Sequence, residues 1–544
     1  MQIYFSDIIM VRTYRTLLQL VFIVTVCMST SCKQEKNSYF KAAKVKNIRL
    51  KDMFGINAFE WDFLQNPNNL DDIDNIYEPN MWLIKTFSQV RHYLDWEKLE
   101  NTPGGYTFNP THKGGWNLDL IYTRCKQENI FIVTCIKNDP DWLYNTYPAN
   151  QRDNENVPAP YKSDREKPAS YIAQAKAAFQ FAARYGQNKN IDSALLSVNK
   201  NQRWDGDQIN QVKTGLDLIK YVECNNEPDK WWKGKKGQQT AAEYAANLSA
   251  FYDGHKGTLG KNVGVKNADQ NMKVVMGGLA KADLNYVKGI VQWCKENRGL
   301  NPDGTINLCF DVINYHLYSN DNTEWFSKFV NKKRGVAPEL NTMGDIADNF
   351  VQYASTLGKK KIEVWTTETG YDLQDQSVQK AIAIGPKSAE ITQGDWNLRT
   401  SLLYARHGVN RVFFYQLFDT DEPGTSSGGP FGSSGLVTKE KRRPAANYFL
   451  QLTKLMGDYT YYATINQDPI VDIYRSGKKE IYILTVPDEI GREENYELDL
   501  KGSKSAVVYT LDPNSESYNI KTVPAANGIL KIKVTETPIF VQGL

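Results

Sequence analysis

From Phe54 to about Phe418 the sequence alternates between short β-prone runs and longer segments with helical periodicity. This alternation is the tightest constraint on the fold, because strand, helix and next parallel strand form the repeating unit of α/β proteins. Strands are predicted at Phe54–Asn57, Gln89–Tyr93, Ile130–Ile136, Asp217–Cys224, Lys273–Gly277, Val312–Tyr315, Ile362–Thr367 and Arg411–Gln416. Helices are predicted at Met81–Thr86, Leu118–Asn129, Ser170–Tyr185, Ala241–Tyr252, Ala282–Asn297, Asp345–Thr356 and Trp396–His407. Eight such units in about 360 residues fit a (β/α)8 TIM barrel with insertions, so the fold class is α/β. The longest insertion separates the third and fourth strands. Its Pro-, Asn- and Asp-rich stretches near 145–167 and 199–210 are long enough to wall a cleft at one end of the barrel.

After a closing helix predicted over Ala445–Met456 the pattern changes. Runs at Tyr459–Ile465, Ile470–Arg475, Glu480–Val486, Tyr496–Leu500, Ala506–Leu511, Ile529–Val534 and Pro538–Val541 alternate with turn residues, as in a small antiparallel β-sandwich. The expected domain plan is a barrel over 53–456 and a sandwich over 457–544, preceded by a tether over 33–52 with an edge strand near Val45–Leu50. The sandwich is either a packing partner or a carbohydrate-binding module. Residues 1–32 have the build of a signal peptide: Arg12 and Arg15 precede an apolar run, Leu17–Met28, that is short for a bilayer span. Ser29-Thr30-Ser31-Cys32 resembles a bacterial lipobox, although Met28-Ser29 stands where a Leu is favoured. Cys32 would then be the lipidated first residue of an exported chain, attached to the membrane through the lipid alone. Plain secretion is the alternative.

Composition narrows the partners. A net charge of +3, from 65 basic and 62 acidic residues, gives no footing for nucleic acid. The cysteines beyond Cys32 are Cys125, Cys135, Cys224, Cys294 and Cys309. They form no CxxC and no regular spacing, so neither a zinc site nor a disulfide framework is expected, and they read as small buried hydrophobes. Tyr and Trp are abundant, and such rings suit stacking on sugars as well as cores.

The chemistry concentrates at two strand ends. Tyr221–Trp232 reads YVECNNEPDKWW. Glu227 is expected at the end of the fourth strand, with Pro228 halting the ladder and favouring an extended backbone at Glu227. In KIEVWTTETGY, over Lys361–Tyr371, Glu368 is expected directly after the seventh strand. Residues at the C-terminal strand ends of a barrel converge, and two carboxyls about 5 Å apart suit a retaining glycosidase. Taken singly, either glutamate also reads as a helix cap or a solvated loop residue.

Together with Arg91 after the second strand and His316 and Tyr318 in NYHLY after the sixth, Asn226-Glu227-Pro228 and Glu368 resemble glycoside hydrolase clan A. Val90–Glu97 (VRHYLDWE) followed by Gly104-Gly105-Tyr106 is similar to family 39 and its neighbours. The resemblance covers about Phe54–Phe418 and implies a (β/α)8 barrel acting on glycans without metal or organic cofactor. It implies Glu227 as acid/base and Glu368 as nucleophile. Arg91 and Tyr318 would hold Glu368, and Asn226 would meet the sugar's 2-hydroxyl. Trp142, Trp231, Trp232, Trp61 and Tyr415 are candidate sugar platforms. At the eighth strand, Tyr415-Gln416 stands where many members have Trp. The expected function is a retaining hydrolase of β-linked polysaccharide or oligosaccharide, with endo action slightly favoured over exo. The alternative is a non-catalytic glycan-binding protein on the same barrel.

Overall fold

The structure is a computed structural model describing residues 41–42, 48–69, 73–321, 333–358, 361–420 and 431–544, and the chain from Lys41 onward is one compact unit. The signal-peptide and Cys32 expectations fall outside the described residues.

Strands are numbered in chain order. β1 (Lys41–Ala42) belongs to the C-terminal region. β2 (Phe54–Ala58) and β3 (Gln89–Asp95) begin the barrel, and β4 (Glu100–Thr102) with β5 (Gly105–Tyr106) makes a small separate ribbon. The barrel continues with β6 (Phe131–Lys137), β7 (Tyr221–Cys224), β8 (Lys273–Met276), β9 (Val312–His316), β10 (Glu363–Thr369) and β11 (Arg411–Phe414). All eight barrel strands are parallel, and β11 closes on β2 with Val412 opposite Phe54. Because both faces of a barrel strand are covered, apolar residues occur on both sides of the pleat. Outward-facing Ile56, Val90, Val222, Val274, Ile313 and Val412 join the helices in the main core. Inward-facing Val133, Val275, Val312, Trp365 and Phe413 fill the barrel floor.

With a side-chain period of two, the next inward layer holds Arg91, Glu223, Asn314 and Thr367. All four are buried. The barrel interior therefore changes from apolar to charged within one pleat, and the site stands on the charged layer.

Each predicted barrel strand is present, with two shifts that matter. The fourth begins at Tyr221 rather than Asp217, where a φ of 53° interrupts the extended run. Glu368 lies inside β10 rather than after it, next to an irregular register between Thr366 and Thr369.

The last barrel helix, Pro444–Met456, leads to β12 (Thr460–Gln467), β13 (Ile470–Ser476), β14 (Lys479–Thr485), β15 (Glu494–Asp499), β16 (Ser505–Thr510), β17 (Asn519–Pro524), β18 (Ile529–Val534) and β19 (Ile539–Gly543). They form a sandwich: a seven-stranded sheet in the order β1-β12-β13-β14-β19-β16-β17 faces the β15-β18 pair. Val471, Leu484, Leu498, Leu530 and Val541 fill the space between. The opposite face of the large sheet, with Tyr474, Ile481, Ile483 and Phe540, is continuous with the barrel core. Buried Arg406, on the helix Ala389–His407, donates to Asp472 Oδ2 at 2.8 Å, and Thr537 donates to Asp395 at 2.8 Å.

Two edge strands differ from expectation. At the N-terminal side the described edge strand is Lys41–Ala42, paired with Thr464 and Ala463; of the strand expected near Val45–Leu50, residues 45–47 lie outside the described residues and Leu50 opens a 3-10 turn over Leu50–Asp52. β17 was not predicted, because it is an exposed edge without alternating apolar residues. The five described cysteines are buried, as expected of small hydrophobes, and Cys294 Sγ lies 3.4 Å from Cys309 Sγ.

Candidate active site

At the C-terminal mouth of the barrel, a cavity of about 730 Å³ is lined by residues including Asn226, Glu227, Trp231, His316, Tyr318, Glu368 and Tyr415. Its base is Arg91. The guanidinium is fully buried and donates through Nε to Glu223 Oε2 at 2.7 Å and through Nη2 to Glu223 Oε1 at 2.9 Å. It also donates to Glu368 Oε1 at 2.9 Å, Asn226 Oδ1 at 2.8 Å and Asn57 Oδ1 at 3.1 Å. Asn57 in turn donates to Thr367 O and Phe414 O at 3.0 and 3.1 Å, bracing the seam where the barrel closes.

Glu368 is held on both oxygens. Tyr93 donates to Oε1 together with Arg91, and Tyr318 donates to Oε2 at 3.1 Å. Burial alone would push this carboxyl up. The His316 and Arg91 charges and the Tyr93 and Arg91 hydrogen bonds outweigh burial and hold it below the usual carboxylate range, so it is the ionised one.

Glu227 has the opposite surroundings. Burial raises its pKa, the negative charge of Glu368 adds to that, and a hydrogen bond from His316 works against it. His316 Nδ1 stands 2.9 Å from Glu227 Oε1 and 3.5 Å from Glu368 Oε2, while Nε2 is 3.0 Å from Thr367 Oγ1. The imidazole is itself raised: its burial opposes the shift, but both carboxylates favour the cation. Glu227, His316 and Glu368 each present an atom within 4.8 Å of the other two. The spacing would admit a metal ion, yet both imidazole nitrogens already have partners and Arg91 supplies positive charge beside Glu368.

The backbone around Glu227 departs from the extended form that Pro228 favours. Glu227 has φ 48° and Asn225 has φ 66°, both left-handed. Its N–H donates to Gly278 O at 3.1 Å, so the chain turns back over β8 and brings the carboxyl inward. Such a conformation costs about 1–3 kcal/mol per residue and persists where the surroundings enforce it. Gly278 is needed here for space: a Cβ would lie 2.0 Å from His316 Nε2.

Sequence reasoning missed Tyr93, although period two from Arg91 points it the same way. It also missed Glu223, a lone charge within an apolar strand, which besides Arg91 accepts from Gly278 N at 3.0 Å and Asn314 Nδ2 at 3.1 Å. Phe431 reaches the cavity from a distant loop and packs on Tyr318 and Tyr415, with ring centroids 5.2 and 5.9 Å apart.

Trp142 does not line the cavity. Its indole N–H donates to Glu100 O at 3.0 Å and its ring packs edge-on to Trp96, so it braces the β4-β5 ribbon. Trp61 is also outside, stacked on Phe59 at 4.4 Å. Trp231 and Trp232 do line the cavity and are half exposed.

No protein-family model matches the chain, and no curated protein matches it in sequence. Solved structures do match in fold. A family 39 glycoside hydrolase from the gut symbiont Bacteroides cellulosilyticus WH2 aligns at TM-score 0.58 and 16% identity over 91% of this chain and 81% of its own. A family 51 α-L-arabinofuranosidase from Bifidobacterium longum aligns at TM-score 0.51 and 14% identity, over 93% of this chain and 98% of its own. A Paenibacillus polymyxa xyloglucanase of family 44 aligns at TM-score 0.51 and 10% identity, over 93% and 99%. At these identities the likeness is one of fold, and it spans barrel and sandwich together. The fold is the one that these glycoside hydrolases share. Among the described residues, no helix is long and apolar enough to cross a membrane.

Proposed function

We propose that this protein is a retaining glycoside hydrolase, with Glu368 as nucleophile and Glu227 as acid/base. The observation that carries the reading is a pair of carboxylates with oxygens within 4.8 Å, one kept ionised and the other pushed toward its protonated form. Pairs of acids whose surroundings drive their pKa values apart are the arrangement that double displacement requires.

In the first step Glu368 attacks the anomeric carbon while Glu227 gives its proton to the departing glycosidic oxygen. This yields a glycosyl ester on Glu368 and a free alcohol. Arg91, Tyr93 and Tyr318 release part of their hold on Glu368 as its charge is consumed. In the second step Glu227, now ionised, takes a proton from water, the hydroxide equivalent attacks the same carbon, and Glu368 leaves as carboxylate. His316 positions Glu227 through both stages. Asn226, held by Arg91, is placed for the 2-hydroxyl contact.

The substrate class is a β-linked polysaccharide or its oligosaccharides. The long insertion between β6 and β7 and the open mouth favour endo action. Tyr415 is the platform we assign; it lines the cavity and meets Tyr93 edge-on with centroids 6.2 Å apart. The test is Glu368→Ala on an activated aryl glycoside, with and without azide. Activity should vanish and return with azide as a glycosyl azide of inverted configuration. Activity surviving the substitution would refute the assignment, and glycan binding without release by the wild type would support a binding protein instead.

We further propose that the chain is exported and lipid-anchored at Cys32. Metabolic labelling with a fatty-acid probe should mark the protein and be abolished by Cys32→Ala.

A further inference from the structure

Among the described residues lining the cavity, Lys281 is the one lysine or arginine. Its ammonium lies 4.5 Å from the centroid of Trp231, and among the described residues no carboxylate is within ion-pair distance of it. Its backbone is pinned: Asp229 accepts from Ala280 N at 2.8 Å and Lys281 N at 2.9 Å. Asp229 itself follows Glu227 by two residues. The loop carrying the proposed acid/base and the loop carrying the cation are thus tied together by one buried carboxylate.

Two consequences follow. A lysine lying over one face of Trp231 withdraws that face from a sugar ring, so the pair is poorly built as a neutral stacking platform. A cation held over an indole keeps N–H donors directed away from the ring, and without a carboxylate of its own it is available to an anion. Glu368, held ionised, disfavours an anion directly beside it. An acidic substituent could therefore be accommodated on the Trp231–Lys281 wall. Asp229, two residues after Glu227, ties Lys281 to the loop that carries the proposed proton donor to the departing oxygen, so the wall stands beside that donor.

We propose that the substrate carries an anionic group, a carboxylate or a sulfate, on the sugar at the leaving-group side, and that Lys281 on Trp231 is the residue that selects it. The inference rests on the glycosidase reading of the site and adds the substrate's charge to it.

The test uses the full chain and a panel of polymers, each paired with a neutralised form: glucuronoxylan and hyaluronan beside their carboxyl-reduced products, and chondroitin sulfate beside its desulfated product. Expected is cleavage of at least one acidic polymer with kcat/KM about tenfold above its neutralised counterpart, mostly in KM and weakened by added salt. The carboxyl-reduced and desulfated arms separate the two anions. In Lys281→Met the acidic-to-neutral ratio should fall to about one, and Lys281→Arg should restore part of it. Neutral polymers cleaved in a Glu368-dependent way with no acidic preference, or a ratio unmoved in Lys281→Met, would overturn the inference and leave the glycosidase reading standing. No cleavage of any polymer, or cleavage that survives Glu368→Ala, would overturn both.

Discussion

The buried pair of Arg91 and Glu223 offers a test that does not depend on any substrate. Glu223 accepts five hydrogen bonds, two from Arg91 and one each from Gly278 N, Asn314 Nδ2 and Thr367 Oγ1. Glu223→Gln keeps the shape but removes the charge. In either amide orientation it turns an N–H towards a nitrogen of Arg91. Breaking a buried pair from one side costs about 3–5 kcal/mol. Arg91 still has Glu368 at 2.9 Å, which places the expected loss near the lower end, about 3 kcal/mol. Arg91→Met should cost more, about 5 kcal/mol, because it strands two buried carboxylates. The double variant should cost less than the sum of the singles by at least about 2 kcal/mol, since each change removes what the other leaves unpaired. Urea unfolding at pH 7, followed by circular dichroism, measures all three. A Glu223→Gln loss below about 1 kcal/mol, or simple additivity of the singles, would refute the account of a charged layer that supports the site.

Three further outcomes are expected. Glu227→Ala should lower kcat about 10²–10⁴-fold on substrates with poor leaving groups but far less on dinitrophenyl glycosides, with the alkaline limb of the pH profile lost; equal losses on both would contradict the acid/base role. Asp62 is buried and pushed up to about 7, burial being the main cause, so its protonated form favours the fold. The stability it contributes is complete below its unfolded value near 4, declines as pH rises, and is gone above about 7. Asp62→Asn should remove on the order of 4 kcal/mol of that decline, read by thermal or urea unfolding between pH 4 and 8. Ending the chain at Gly457 should leave an insoluble barrel, because Arg406 and the apolar face against Tyr474 and Phe540 lose their cover; a soluble, folded barrel would show the sandwich to be dispensable for packing.

The barrel was legible because its strands are buried on both sides and read as apolar runs, and the seven predicted sandwich strands because their alternation is regular. β17 was not, since an exposed edge such as Asn519–Pro524 carries no apolar signal. In the site, Asn226, Glu227 and Glu368 were visible as polar residues placed abruptly near strand ends, His316 and Tyr318 as polar residues at or just beyond such an end, and Arg91 as a charge that the structure places within β3. Tyr93 was hidden among other residues of an aromatic-rich strand, though its parity with Arg91 was available. The bend at Glu227 was not available, because it depends on Gly278 accepting its N–H from a strand some fifty residues on. Trp142 misled for a plain reason: an indole beside a loop can face a cleft or brace a ribbon, and only the nearby Glu100 carbonyl decides which.

Gly278 sets a boundary on how this site can change. Any side chain there would displace the His316 ring and, through it, Glu227, so at this position the chain just after β8 contributes only its backbone to the proposed catalytic centre. Just beyond it, Ala280 and Lys281 line the cavity while their backbone N–H groups are held by Asp229. A position closed to any side chain and one proposed to set substrate preference thus sit almost side by side. Variation at 280 and 281, by selection or in a library, would change what the cavity accepts while leaving the proposed acid/base and nucleophile in place.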